Sequence, residues 1–262
     1  MIISTHFLFL VCIGAAVGAA AGYVGSFMVI KRMSLVGDAL SHVALPGLAI
    51  AIALQVSPMI GAFVTLFLAI CGVWYLEKSS RIYPDALVGV FFTTSLAIGV
   101  LLTPEPDLLE ALFGNIEHVS RIEGLVAIVL SLAVLISAKL ISKQLTLGII
   151  SEELSKSLGI DQNKVNFIYL LLIAVIVSLG IKFVGTLLMG ALVIIPAVAA
   201  KNLSRGMSEY QLLSTFAGAL SAVLGIFAAE LFGVSTGPLV VLTSVCFFLT
   251  TLAVRGLSTR QG

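Results

Sequence analysis

The chain has 262 residues, of which 60% are hydrophobic and only 10% charged, and its formal net charge is +1. An average soluble domain carries roughly 25% charged residues, so a water-soluble globule with a full polar coat is excluded. Apolar runs of about 18 to 20 residues match a ~30 Å hydrocarbon core at ~1.5 Å per helical residue.

Taken in chain order, such runs cover Phe7–Ile30, Ala39–Val56, Ile60–Leu76, Ala86–Leu102, Leu125–Ile141, Val165–Ile181, Val184–Ala200, Leu212–Phe232 and Val234–Val254. Short alternating amphipathic strands, the mark of a membrane barrel, are absent. The expected fold is therefore all-α, a polytopic transmembrane helix bundle with 8 or 9 spans forming a single domain over 1–262. The opening Met1-Ile2-Ile3-Ser4-Thr5-His6 lacks a basic lead and a small-residue cleavage site, so the first run is expected to stay as a span. Cys12, Cys71 and Cys246 stand singly in apolar runs and read as small buried hydrophobes.

Lys and Arg gather at alternate connections: Lys31/Arg32, Lys78/Arg81, Lys139/Lys143/Lys156/Lys164, Lys201/Arg205 and Arg255/Arg260. By the positive-inside rule those ends are cytoplasmic and the N-terminus is outside. Two connections are long. The outer one, 103–121, holds Glu105, Asp107, Glu110 and Glu117 against Arg121 and would receive a partner or attract cations; a loop merely poor in Lys and Arg looks the same. The inner one contains Ser151–Ile160, which reads as a short helix. Ser151 caps it, Glu152 and Glu153 sit where the helix dipole favours anions, and Gly159 ends it. Leu154 and Leu158, four apart, offer an apolar stripe for docking.

Ionisable residues inside spans are costly and mark function. Asp38 and His42 stand four residues apart on one helix face, with an oxygen and a nitrogen donor that make half of a metal site; a structural hydrogen-bonded pair is the other reading. If Arg32 marks the cytoplasmic edge, His42 lies roughly 15 Å deeper, near the midplane where transporters bind cargo. Pro46 and Gly47 supply a hinge just beyond the pair. Glu230, late in its run, belongs near the outer surface as a solvated carboxylate or a pathway residue. His6 and His118 read as solvated or interfacial, and Lys182 as snorkelling to the outer surface.

The block Lys31-Arg32-Met33-Ser34-Leu35-Val36-Gly37-Asp38-Ala39-Leu40-Ser41-His42 resembles the metal-ion permeases of bacterial ATP-binding-cassette importers, the zinc and manganese type. The stretch Lys182–Ala200 and the triplet Leu112-Phe113-Gly114 are also similar to that family, and the likeness covers nearly the whole chain. Only the turn Gly233-Val234-Ser235-Thr236-Gly237-Pro238 departs, being more polar than the family's Pro-Ser/Ala-Gly turn.

The resemblance implies a transport subunit of a bacterial cytoplasmic (inner) membrane. Its partners would be a separate ATPase, an extracytoplasmic metal-binding protein and a second copy of the chain, in the lipid bilayer, with no nucleic acid. It implies no permanently bound cofactor; the metal is cargo, with zinc placed ahead of manganese or iron. Asp38 and His42 match the family's metal-pathway residues, and Ser151–Ile160 matches its coupling helix. The chain has no Gly-x-x-x-x-Gly-Lys-Ser/Thr loop and is expected not to be an enzyme. A proton-coupled secondary metal transporter is the alternative, although no internal repeat is evident.

Overall fold

The computed structural model describes residues 5–79, 84–102, 111–114 and 119–258. Every regular element among them is an α-helix: α1 (Thr5–Ile30), α2 (Ser34–Val43), α3 (Leu45–Ala53), α4 (Pro58–Ser79), α5 (Pro84–Leu102), α6 (Arg121–Ile150), α7 (Glu152–Ser157), α8 (Gln162–Val184), α9 (Thr186–Leu203), α10 (Met207–Phe232) and α11 (Thr236–Ser258). Eight described segments are long and apolar enough to cross a bilayer, and Ala86–Leu102 is a shorter apolar helix. Glu105, Asp107, Glu110, Glu117 and His118 of the acidic connection lie outside the described residues, as do Arg81 and Arg260.

The run expected as one span over 39–56 is matched by a single candidate span, Val36–Ala53, made of two helices parted at Ala44. Pro46 causes the break: it has no N–H to give the carbonyl of His42 four residues earlier, and its ring crowds that carbonyl. The Ala44 N–H bonds His42 O instead. Gly47 serves a different end, close packing, because a Cβ there would collide with the carbonyl oxygen of Gly61 on α4.

α1 is the axis of the bundle, packed on α6, α8, α9 and α10. Lipid tails are as apolar as leucine, so helices in a bilayer associate through close backbone approach at small residues. Gly18 and Gly22 meet α10 in this way: a Cβ on either would run into the carbonyl oxygen of Gly218 or Ser214. α6 shows the pattern from the other side. Its bundle face carries Gly124, Ala127, Ser131, Val134 and Ala138, while Leu125, Val129, Leu132, Ile136 and Leu140 face outward. Small residues inward and large apolar ones outward suit a lipid solvent and would be unstable in water. Cys12 and Cys246 belong to this outward surface and are exposed, contrary to their expected burial; composition cannot separate a core from a lipid face when both are apolar.

Helix ends are closed by local chemistry. Ser120 caps α6, accepting from Glu123 N while the Glu123 carboxylate accepts from Ser120 N, a reciprocal capping box. Asp161 caps α8 by accepting from Asn163 N and Lys164 N. At the opposite end of α8, three glycines bring separate segments together. Gly114 and Gly185 both have positive φ, 75° and 85°, and each packs against the other's strand of backbone, Gly185 against Leu112 O. Gly237 lies on Val184 and Phe113, where a Cβ would be 2.6 Å from Phe113 O. The polar turn 233–238 therefore closes through glycine against the same junction that the resembled segments form. Lys182 does not extend to the surface: its Nζ is 2.8 Å from Glu123 Oε1, with side chains only 17% and 25% exposed.

Gly22→Val is expected to wedge α1 from α10 and destabilise the bundle by about 3 kcal/mol, the upper end for overpacking. Thermal unfolding in detergent checks this against Leu140→Ala, a truncation on the lipid face that should leave the midpoint nearly unchanged.

Candidate metal passage between α2 and α5

The three-residue turn after α1 sets the site. Met33 N bonds Met28 O at 2.9 Å and Arg32 N bonds Val29 O at 3.2 Å, the double bond of a Schellman end. The left-handed position is held by Arg32, at φ 59°, where glycine is usual and another residue costs about 1–2 kcal/mol. The turn delivers the chain into α2, which packs chiefly on α9 and α5.

A cavity of about 300 Å³ lies between α2 and α5, lined by Arg32, Met33, Val36, Asp38, Ala39, Val88, Gly89 and Phe92. Asp38 is exposed on its wall. His42, one turn further along α2, is 8% exposed and packs edge-on against the Phe92 ring at 5.3 Å between centroids. Phe92 thus touches both the cavity and the imidazole. Among the described residues, His42 Nδ1 is buried without a hydrogen-bond partner. Leaving such an atom unsatisfied costs about 1–3 kcal/mol.

α9 makes room for the carboxylate. A Cβ on Gly190 would lie 2.7 Å from Asp38 Cα and 2.8 Å from Asp38 Oδ1, so Gly190 lets the two backbones close on each other beside the acid. No group of three or more His, Cys, Asp and Glu that could hold a metal gathers among the described residues. Asp38 lies on the cavity wall and His42 is buried against Phe92.

The other singled-out residues lie elsewhere. Glu230 is exposed in the last turn of α10, a helix packed on α1, α9 and α11. On α7, Ser151 Oγ accepts from Leu154 N and Gly159 ends the turn at φ 74°. Glu152 and Glu153 occupy the first turn, Glu152 pairs with Lys156 at 2.8 Å, and Leu154 and Leu158 are 47% and 59% exposed.

The sequence pattern of the ABC 3 transport family matches residues 4–255. The chain belongs to the ABC 3 transport family. It is similar to the manganese import system permease protein ScaB of Streptococcus gordonii, 34% identical over 93% of this chain and 90% of that one. It is likewise similar to the high-affinity zinc uptake system membrane protein ZnuB of Haemophilus influenzae, 34% identical over 87% of this chain and 89% of that protein. Among solved structures, PsaBC from Streptococcus pneumoniae in complex with Fab matches with a TM-score of 0.84 and 32% identity, over 95% of this chain and 91% of the matched one.

For a member of the ABC 3 transport family, the sequence alone brought out Asp38 and His42 but not their surroundings. Phe92 carries no sequence signal beyond being one aromatic residue in an apolar run. Gly190 stands inside the resembled stretch 182–200, yet its contact with Asp38 follows only from the approach of α9 to α2. Arg32 marked the membrane edge in the sequence; the structure puts it on the cavity wall with Asp38.

Gly190→Ala is expected to push α2 off α9 and lower stability by about 1–3 kcal/mol, the range for overpacking. Thermal unfolding in detergent reads this, and an unchanged midpoint would mean that the α2–α9 spacing yields freely.

Proposed function

We propose that the chain is the membrane-spanning subunit of an ATP-driven importer for a divalent transition-metal ion, and that Asp38 and His42 form the chain's part of the metal path. The observation that carries this reading is the cavity bearing Asp38, with an unpartnered buried His42 nitrogen one turn beyond it, in a member of this transport family. Family membership disfavours the proton-coupled carrier. The named relatives include both manganese and zinc systems, and an oxygen with a nitrogen donor suits either ion.

Two donors are too few to hold such an ion. A second copy facing the first across the open α2–α5 side would bring the number to four, and this supports a homodimer. Alternating access follows if α2 moves relative to α5: Phe92 then either separates Asp38 from His42 or lets the ion pass between them. The break at Ala44, with Pro46 beyond it, would permit α2 to move without carrying α3, which is the hinge role proposed for Pro46; Gly47, packed on Gly61, would hold α3 to α4 while it does so.

The energy would come from a separate ATPase seated on α7, where Glu152, Glu153, Leu154, Leu158 and Gly159 form the docking face. An extracytoplasmic binding protein would deliver the ion on the opposite side of a bacterial cytoplasmic membrane. Glu230, exposed at the end of α10, would lie at the outer entrance.

Uptake of radioactive manganese and zinc into vesicles holding the chain, its ATPase and its binding protein tests the proposal. Asp38→Ala and His42→Ala are each expected to reduce uptake about 100-fold, on the scale of losing a charged or donor contact worth ~2–3 kcal/mol, while the complex still assembles. Full uptake by both variants would remove the pair from the path. Uptake by the chain alone, driven by a proton gradient, would overturn the importer reading. Leu154→Asp is expected to abolish co-purification of the ATPase.

A further inference from the structure

α7 is clamped to the bundle on its inner side. Ser155 is fully buried and its hydroxyl accepts from Gln162 Nε2, which also donates to Gln144 O on α6 at 3.1 Å. Gly148 of α6 leaves the space that the Gln162 amide fills. The short helix, the end of α6 and the start of α8 are thereby held at a common point, while Leu154 and Leu158 remain outward.

The same face of α8 continues to the turn that sets α2. Gln162, Asn166 and Tyr169 are spaced i, i+4, i+7 and so share one face. Asn166 Oδ1 accepts from Lys31 Nζ at 2.5 Å. The ammonium also lies 5.4 Å from the centre of the Tyr169 ring, within cation–π range. Tyr169 is fully buried, and its hydroxyl donates to Val24 O of α1 at 2.8 Å. Lys31 is the residue before Arg32 in the tight α1–α2 turn, whose backbone bonds to Phe27 O, Val29 O and Met28 O leave little slack.

A half-buried ammonium held by a neutral amide and an aromatic face is a costly way to fill space. Burial pulls the Lys31 ammonium down to about 8, and no carboxylate pairs with it among the described residues. Methionine would fill the volume at less desolvation cost. What the amide–ammonium bond adds is direction: it ties one point on α8 to one point on the turn, whereas apolar contacts slide.

We propose that the Gln162–Asn166–Tyr169 face of α8, with Lys31, is the mechanical link that carries movement of the ATPase-docking helix α7 to the Asp38–His42 helix α2. The link rests on the docking role of α7 proposed above. Lys31 and Asn166 act as positioning residues; neither touches the transported ion. A shift of α7 takes Gln162 with it, the first two turns of α8 follow, and Asn166 draws Lys31. The fixed turn passes that displacement to α2 and so to the spacing between Asp38 and Phe92.

The test measures ATP hydrolysis and manganese uptake in the same vesicles holding the whole complex, for the unaltered chain, Lys31→Met, Asn166→Ala, Lys31→Arg, the exchange Lys31→Asn with Asn166→Lys, and Leu154→Asp. Lys31→Met and Asn166→Ala are expected to keep the ATPase attached and hydrolysing, while uptake per ATP falls about 10-fold, within the 5–150-fold span of typical coupling free energies. Lys31→Arg is expected to retain coupling, and the exchanged pair to recover most of it.

Asn166→Ala, at a half-buried helical position where alanine favours the helix, carries the decision if Lys31→Met does not accumulate. Unchanged uptake per ATP, or hydrolysis and uptake falling in step, overturns the link. Failure of every Lys31 and Asn166 variant to accumulate overturns it too, since the bond would then be a requirement of folding. If Leu154→Asp leaves the ATPase attached, the docking reading falls and takes the link with it. If Leu154→Asp detaches the ATPase while Lys31→Met transports fully, docking stands and the link alone is lost.

Discussion

Close backbone approach along α1 does for this bundle what the hydrophobic effect does for a globule in water. In lipid there is little to gain from hiding one apolar side chain behind another, so helices cohere where their surfaces permit dense contact. Gly18 and Gly22 provide it against α10, and the helices around α1 are positioned by that contact. The turn after α1 then orients α2, and Asp38 and His42 of the proposed metal passage inherit their positions from it. Enlarging a side chain on the α1 seam would therefore be felt at Asp38, without any contact between the two.

The passage itself sets an exposed acid against a sequestered base. Asp38 and Arg32 both line the open volume, while His42 is buried against the Phe92 ring, its Nδ1 without a partner among the described residues. Such a division suits transient occupancy. A site whose donors all converged would hold its ion firmly, whereas conduction needs binding weak enough to release. Movement of α2 past Phe92 would change how many donors the ion meets at once.

Much of this was legible in the residues, for reasons that can be named. Membrane spans declare themselves because a bilayer demands about 20 apolar residues in a row. The break before α3 follows from the missing N–H of Pro46, and the ends of α7 from Ser151 and Gly159. What stayed hidden was pairing across the chain. Lys31 meets Asn166 135 positions away, and Lys182 finds Glu123 59 positions back; no local pattern encodes either. Lys182 reads as a snorkelling cation because its own neighbourhood contains no acid. Lipid exposure was equally hidden, as Cys12 and Cys246 show, since apolar faces look alike whether they meet lipid or protein. The carboxylate–imidazole spacing revealed the chemistry of the site, and only the packing of α9 and α5 around it revealed its shape.

α6 has a consequence for where the ATPase would sit. Its 30 residues span about 45 Å at ~1.5 Å each, against a hydrocarbon core of ~30 Å. Hiding that length by inclination alone would require about 48°, beyond the 0–40° seen for membrane helices. The surplus must emerge, and Lys139, Lys143 and Gln144 near the α7 end mark the side on which it does. On the proposed topology α6 is a pedestal that lifts α7 roughly a headgroup's depth off the hydrocarbon. The motor would then grip protein alone, and changes in lipid composition would reach the passage through the bundle rather than through the docking joint.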